Sequence, residues 1–219
     1  MSDGQMITFS WELDEGDFAA LTAKLRELAG TKVNTYIARA LNKTATSARV
    51  KLGDKARASY TVKSTGFKED MQIDRATAGN LTAVIHSNGD TLHVNKFKWS
   101  RNGGSHGVRI DVVRSGLKEM HLNGNKAFVI KVGRTKYNKK TKKREKVMRR
   151  NRATGEMEQS MADIVFARPG KSRLPIYVMK SKSVPYMLGS ENRVWGPTKP
   201  QIESDLQKYM KQQIAALLG

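Results

Sequence analysis

The sequence contains no cysteine in 219 residues. That rules out disulfide staples and thiolate chemistry, and it fits assembly in a reducing cytoplasm. No apolar run approaches the ~20 residues that a membrane-spanning helix needs, so no membrane partner is expected. The opening stretch "MSDGQMITFSWELDEGD" has acids and no base, unlike the basic start of a secretory signal. Aromatic residues make up only 7%, which argues against reading single strands by base stacking. Histidine is scarce too. His86, His93, His106 and His121 are spread out, without H-E-x-x-H or H-x-x-E-H spacing and without cysteine to complete a zinc set. The stretch "NGGSHG" (102–107) lacks the GxxxxGK[ST] spacing of a phosphate loop and reads as a plain loop. No nucleophile elbow and no pair of carboxylates placed for acid–base work is expected. The chain therefore reads as a non-enzyme with no metal and no cofactor.

What it does have is positive charge. Lys and Arg number 40 against 20 Asp and Glu, a formal +20. A surplus of this size attracts polyanions and says little about fold. It is also uneven: residues 1–30 sum to −4, while residues 131–152 alone sum to +11. The densest run, "YNKKTKKREKVMRRNR" (137–152), holds Lys139, Lys140, Lys142, Lys143, Arg144, Lys146, Arg149, Arg150 and Arg152. Its only acid is Glu145 and its only aromatic is Tyr137. Three readings compete. These nine cations could contact phosphates, could form a solvated hairpin tip that like charge keeps open, or could face an acidic protein. No recognition helix, zinc finger or basic zipper accompanies them, so contact with DNA would run through the backbone, without base specificity.

The hydrophobic fraction of 38% suffices for a core, and the length suits a single domain. Helical spacing of Phe18, Leu21, Leu25 and Leu28 predicts a first helix ending near Gly30. A longer one follows over residues 31–60, with the stripe Val33, Ile37, Leu41, Ala45, Ala48 and Leu52. Residues 60–190 are β-rich. "MQIDRATAGNLTAVIHSNGD" reads as a hairpin and "GVRIDVV" as an alternating strand. "LHVNKFKW" alternates with a slip between Val94 and Phe97 that suggests a bulge. "AFVIKVG" (127–133) and "DIVFARP" (163–169) are short apolar strands that flank the basic run, which makes residues 134–160 one long basic hairpin. A last helix spans 199–219, with Pro200 in its first turn and Ile202, Leu206, Tyr209, Met210, Ile214 and Leu217 on one face. Leu41, Ile202, Leu206, Met210 and Ile214 are the candidate packing or subunit-interface residues. The order of helices, strands and helix predicts an α+β domain over 1–219: two N-terminal helices (1–59), a mainly antiparallel sheet with the long basic hairpin, and a C-terminal helix. No internal repeat is visible in the sequence.

Several stretches together carry a resemblance: "ALNKTATSARVK" (40–51), "YTVKSTGFKEDMQIDRATAGNLTAVIHSNGD" (60–90), "HVNKFK" (93–98), "KAFVIKV" (126–132) and "VFARPGKSRLPIYVMKSKSVPYML" (165–188). Their order and spacing resemble the prophage minor tail protein Z family of long-tailed phages (siphoviruses). The pair "RLPI" and "SVPYML" is the most telling. The resemblance implies a structural virion protein of the tail, made in the host cytoplasm, that completes the head-proximal end of the tail tube and prepares it for head–tail joining. By analogy with other neck proteins it implies a homo-oligomer, a ring with the six-fold symmetry of the tube. Its implied partners are tail-tube, tail-terminator and tape-measure or neck proteins; duplex DNA in the lumen is a candidate partner of the basic run, whose role the resemblance does not supply. The basic run departs from the family pattern, in which that position more often holds a short hairpin. A stand-alone, non-sequence-specific nucleic-acid-binding protein is the alternative reading.

Overall fold

The computed structural model describes residues 5–10, 31–62, 67–101 and 107–218. For residues 5–10, 31–32 and 218 only the backbone is described. The first predicted helix lies outside these residues. The chain forms two compact units, Met1–Leu92 with Lys182–Gly219, and His93–Ser181.

In chain order the elements begin with β1 (Gln5–Ser10), α1 (Thr31–Ser59), β2 (Met71–Asp74), β3 (Val84–Gly89) and β4 (Thr91–His93). After a 3-10 turn come β5 (Lys98–Arg101), β6 (Val108–Asp111), β7 (Lys118–Glu119), β8 (His121–Leu122), β9 (Asn125–Lys126) and β10 (Phe128–Gly133). Residues 134–160, an insertion between β10 and the strand that pairs with it, supply β11 (Thr135–Asn138), β12 (Lys143–Lys146), β13 (Met148–Arg150) and β14 (Met157–Gln159). The chain ends with β15 (Met161–Ala167), β16 (Tyr177–Val178), β17 (Lys180–Ser183), α2 (Val184–Leu188) and α3 (Gly196–Leu218). The class is α+β, but the strands make several small antiparallel sheets, not one. They are too short and too often interrupted by turns to extend a common ladder.

In the first unit, α1 and α3 pack against each other. All six stripe residues of α1 are buried, which is why a 29-residue helix with little intrinsic amphipathic contrast holds. The small residues Ala40, Ala45 and Ala48 let the partner approach closely. Ser47 and Lys51 of α1 both reach the Asp205 carboxylate of α3, the lysine at 2.7 Å. Lys51 also donates to the Gln201 carbonyl at 3.2 Å. Burial pushes the Asp205 pKa up, but hydrogen bonds from Lys51 and Ser47 and the charges of Lys51 and Lys208 outweigh it and hold the carboxyl below its ordinary value. Asn42 clasps the backbone after β2 from both sides, donating to the Ala76 carbonyl and accepting from the Ala76 amide. The hairpin read at 71–90 is present: β2 and β3 pair antiparallel, with Met71 opposite Ser87 and Asp74 opposite Val84. β1 pairs on the other edge of β3.

Ser183 caps α2, its hydroxyl accepting from the Tyr186 amide. The chain then makes a π-turn over Glu191–Trp195 before α3. Gly196 is required there, because a Cβ at that position would collide with the Glu191 carbonyl. The last helix therefore starts at Gly196, three residues before the sequence-based boundary, and Pro200 falls in its second turn.

The second unit contains the sheet β5–β6–β7, the hairpin β8–β9 and the sheet β10–β15–β16. The slip after Val94 is a 3-10 turn over Val94–Lys96, not a bulge. Asn123 and Gly124, both at positive φ, make the two-residue turn between β8 and β9. Phe128 of β10 stacks on Phe166 of β15 at 6.4 Å, and Arg168 lies over the Phe128 ring at 4.7 Å. This pair is the stem that carries the insertion.

Candidate functional site

The basic stretch is not one long hairpin. β10 and β15 run in register from Phe128 opposite Phe166 to Gly133 opposite Met161. At that point the chain branches into two short ribbons, β11–β12 and β13–β14. Three backbone hydrogen bonds close the branch point as a ring. Arg134 N–H donates to the Ser160 carbonyl at 2.6 Å, Val147 N–H to the Arg134 carbonyl at 2.9 Å, and Ser160 N–H to the Val147 carbonyl at 2.7 Å. The three residues are spaced thirteen apart. A single hairpin continuing the stem's register would have set Lys142 opposite Arg152 and Arg144 opposite Arg150; branching separates these like charges and still pairs the backbone.

The two arms are copies of one design, residues 134–146 and 147–159. Asn138 pairs with Lys143 across a four-residue turn. Asn151 donates its amide to the Glu156 carbonyl across a turn of the same length. In the first arm, Asn138 Oδ1 accepts from the Lys140 amide at 2.9 Å and its Nδ2 donates to Glu145 at 2.8 Å. In the second, Asn151 Oδ1 accepts from the Ala153 amide at 2.9 Å and its Nδ2 donates to Glu158 at 3.3 Å. The fourth turn residue is left-handed in both, Lys142 at φ 52° and Gly155 at φ 75°. The shared pattern is N-x-x-T-x-x-x-E, at 138–145 and again at 151–158. This corrects the expectation of no internal repeat. The signal is a motif of three residues in two copies, too sparse to stand out against composition.

The copies differ in charge. Residues 134–146 hold eight Lys or Arg and one acid; residues 147–159 hold three and two. In the first arm Glu145 accepts from the neutral donors Asn138 and Thr141. In the second, Glu158 takes Arg149 at 2.7 Å, and Arg150 donates to the Gly155 carbonyl at 3.0 Å. So the second arm spends its acid on an arginine and the first does not. All nine predicted contact residues are exposed, and the insertion gathers them on two neighbouring ribbons. Lys139, Lys140 and Lys142 occupy the first turn. Lys143 lies across from Asn138, Arg144 from Tyr137 and Lys146 from Thr135. Arg149, Arg150 and Arg152 belong to the second arm. Glu145 and Glu158, the clasps of the two turns, went unrecognised in the sequence. The Asn–Glu spacing of seven, repeated, was the signal for them.

The other predicted residues sit inside the first unit. Leu41, Ile202 and Met210 are buried within one chain, so they pack the α1–α3 core and are not available to a neighbour. Leu206 and Ile214 are half-buried. Gln213, absent from the predicted face, is buried in their place. An open groove of 1030 Å³ runs along α1 and α3, lined by Tyr36, Arg39, Lys43, Arg75, Tyr209 and Gln213 among others, with three cations and no acid.

His86 pairs with Asp74 at 2.6 Å and His121 with Glu119 at 3.2 Å. Among the described residues no three His, Cys, Asp or Glu side chains converge as metal ligands, and no helix is long and apolar enough to cross a membrane. Residues 103–107, Gly-Gly-Ser-His-Gly, do satisfy G-x-S-x-G spacing, contrary to expectation. That spacing marks a nucleophile elbow only between a strand and a helix. Here it joins β5 to β6, which pair antiparallel from Arg101 opposite Val108.

No curated protein and no solved structure matches the chain. The family of prophage minor tail protein Z matches residues 19–218. With the α+β fold, the order of the quoted stretches and nearly the whole length matched, the chain belongs to the prophage minor tail protein Z family, a structural component of phage tails.

Proposed function

We propose that the protein is a tail-completion subunit that acts at the head-proximal end of the tail tube and readies it for joining to the head. The family match over 19–218 carries this reading. The subunits would close into a ring of the tail's six-fold symmetry, next to tail-tube, tail-terminator and tape-measure or neck proteins. A closed ring needs two different complementary faces on each subunit. With Leu41, Ile202 and Met210 committed to the subunit's own core, those faces would use half-buried and exposed residues such as Leu206 and Ile214. The test is electron microscopy of assembled particles carrying a labelled copy of this chain. Density as a ring at the head-proximal end is expected; density at the distal tip, or none, would overturn the reading.

The exposed cations of the insertion support a second component of the same function. They would meet a polyanion, with duplex DNA in the lumen as the partner and no base specificity. A stand-alone nucleic-acid-binding protein would use the same surface. Size in solution together with copurification separates the two: a tail subunit travels with tail proteins, whereas a stand-alone binder stays monomeric and is held on DNA in a salt-sensitive way.

A further inference from the structure

The two arms share a backbone design and differ in charge, which allows the polyanion contact to be divided between them. We propose that the first arm, residues 134–146, is the duplex-DNA-binding module, and that the second, residues 147–159, is a non-binding copy. The proposal rests on the polyanion reading above and sharpens it.

Four observations carry it. The first arm's charge is little compensated: its one acid, Glu145, lies across from Lys136, and among the described residues no ion pair ties Lys139, Lys140, Lys142, Lys143 or Lys146. Its cations also lie on both faces of the ribbon, with Arg144 and Lys146 on one side, Lys136 and Lys143 on the other, and three lysines at the tip. A two-stranded ribbon fits the ~12 Å major groove, whose two walls are both lined with phosphates. From Arg134 to the tip the arm spans about six residues at ~3.4 Å, roughly 20 Å, along which a duplex presents about twelve phosphate charges. Eight cations are of the same order. Finally, Lys142 stands in the left-handed conformation where the sister arm has Gly155. A lysine stands where glycine is the relaxed choice, and it adds a charge to the turn.

The alternatives fit less well. A single strand would want several aromatic platforms, and the arm has only Tyr137. A protein interface is depleted in lysine and built on apolar anchors. The second arm has the opposite character. Two of its three arginines are engaged within the arm, by Glu158 and by the Gly155 carbonyl, and Met148 and Met157 are exposed on it.

The ring of hydrogen bonds at the branch point makes the test clean. Val147 and Ser160 already bond to each other, and so do Arg134 and Ser160. Excising either thirteen-residue arm from the full chain therefore leaves a continuous ribbon on the β10–β15 stem. Binding of the intact chain and both excisions to two unrelated duplexes and their single strands is measured across a salt series. If half of the first arm's cations engage, removing 134–146 should flatten the slope of log K against log salt by about 3 to 4. Removing 147–159 should change it by less than about 1, and both duplexes should respond alike. A full-length quadruple variant, K139Q/K140Q/K142Q/K143Q, keeps both arms and should reproduce most of the first loss even if an excised chain misfolds. Equal losses from the two excisions would overturn the division of labour and leave the polyanion reading standing. An intact chain without salt-dependent duplex binding would overturn both, as would a preference for single strands or binding only to an acidic protein.

Discussion

Ile202 and Met210 are closed off between two helices, while every lysine of the first arm stands in water. Both regions nonetheless have a defined shape. The helix pair keeps its shape by burying apolar side chains, with Asp205, Ser47 and Lys51 as a polar tie at its edge. The arms bury almost nothing and keep theirs through backbone ladders, Asn–Glu clasps and a ring of three hydrogen bonds. Burial tolerates little change, whereas hydrogen-bonded surface ribbons tolerate a great deal. Substitutions should therefore be costly in the helix pair and cheap on the arms.

The largest effects should fall on the helix pair. Ile202→Ala should cost about 2–5 kcal/mol, because the side chain is wholly buried. Leu206→Ala and Ile214→Ala, at half-buried positions, should cost roughly 1 kcal/mol each. Chemical denaturation of the three variants checks this, and equal losses would break the contrast between closed and open positions on α3.

Next comes the polar tie. The folded-state pKa of Asp205 is depressed, so its contribution is fully present above the ordinary carboxylate value of 3.8 and is lost as pH falls through the folded value. Asp205→Asn should therefore destabilise the chain by about 1–3 kcal/mol near neutral pH. The difference from wild type should shrink towards zero in acid. A gap that stays constant down to low pH would show that the carboxylate charge plays no part.

Smaller and local effects are expected in the arms. Asn138→Ala and Asn151→Ala each remove a turn acceptor and the clasp to a glutamate, at a cost of about 1 kcal/mol. Amide exchange should speed up in the altered arm and not in its sister. Lys142→Gly should slow exchange in the first arm, since glycine takes the left-handed conformation without the penalty of roughly 1 kcal/mol that lysine bears. The smallest effect belongs to the charges themselves. Replacing Lys139, Lys140, Lys142 and Lys143 together by Gln should leave stability within about 0.5 kcal/mol. A large drop in melting temperature would mean that these lysines support the fold as well as the surface.

The α1 stripe was legible in the sequence, residue by residue, because a helix repeats its buried positions every three or four residues and six of six fell into the core. The strands flanking the insertion were legible for a similar reason, as short apolar runs. Both ends of α3 were harder to read. Its start depends on a π-turn and on the close approach of Gly196 to the Glu191 carbonyl, which leave no periodic trace. Gln213 is buried there by position, not by polarity. The nine cations of the run 137–152 were plain in the composition, but their division into two arms was not.

The sequence by itself determined the charge and its concentration in one stretch, the absence of cysteine, the apolar stripe of the long helix, and the family. Composition and short-range periodicity are local properties, and any reader of the chain can recover them. The branch point at Arg134, Val147 and Ser160, and with it where each arm begins and ends, was decided by tertiary structure alone. Those bonds join backbone groups thirteen and twenty-six residues apart. A backbone amide carries no side-chain signature, so only the closing of the ring in space shows which carbonyl it has found.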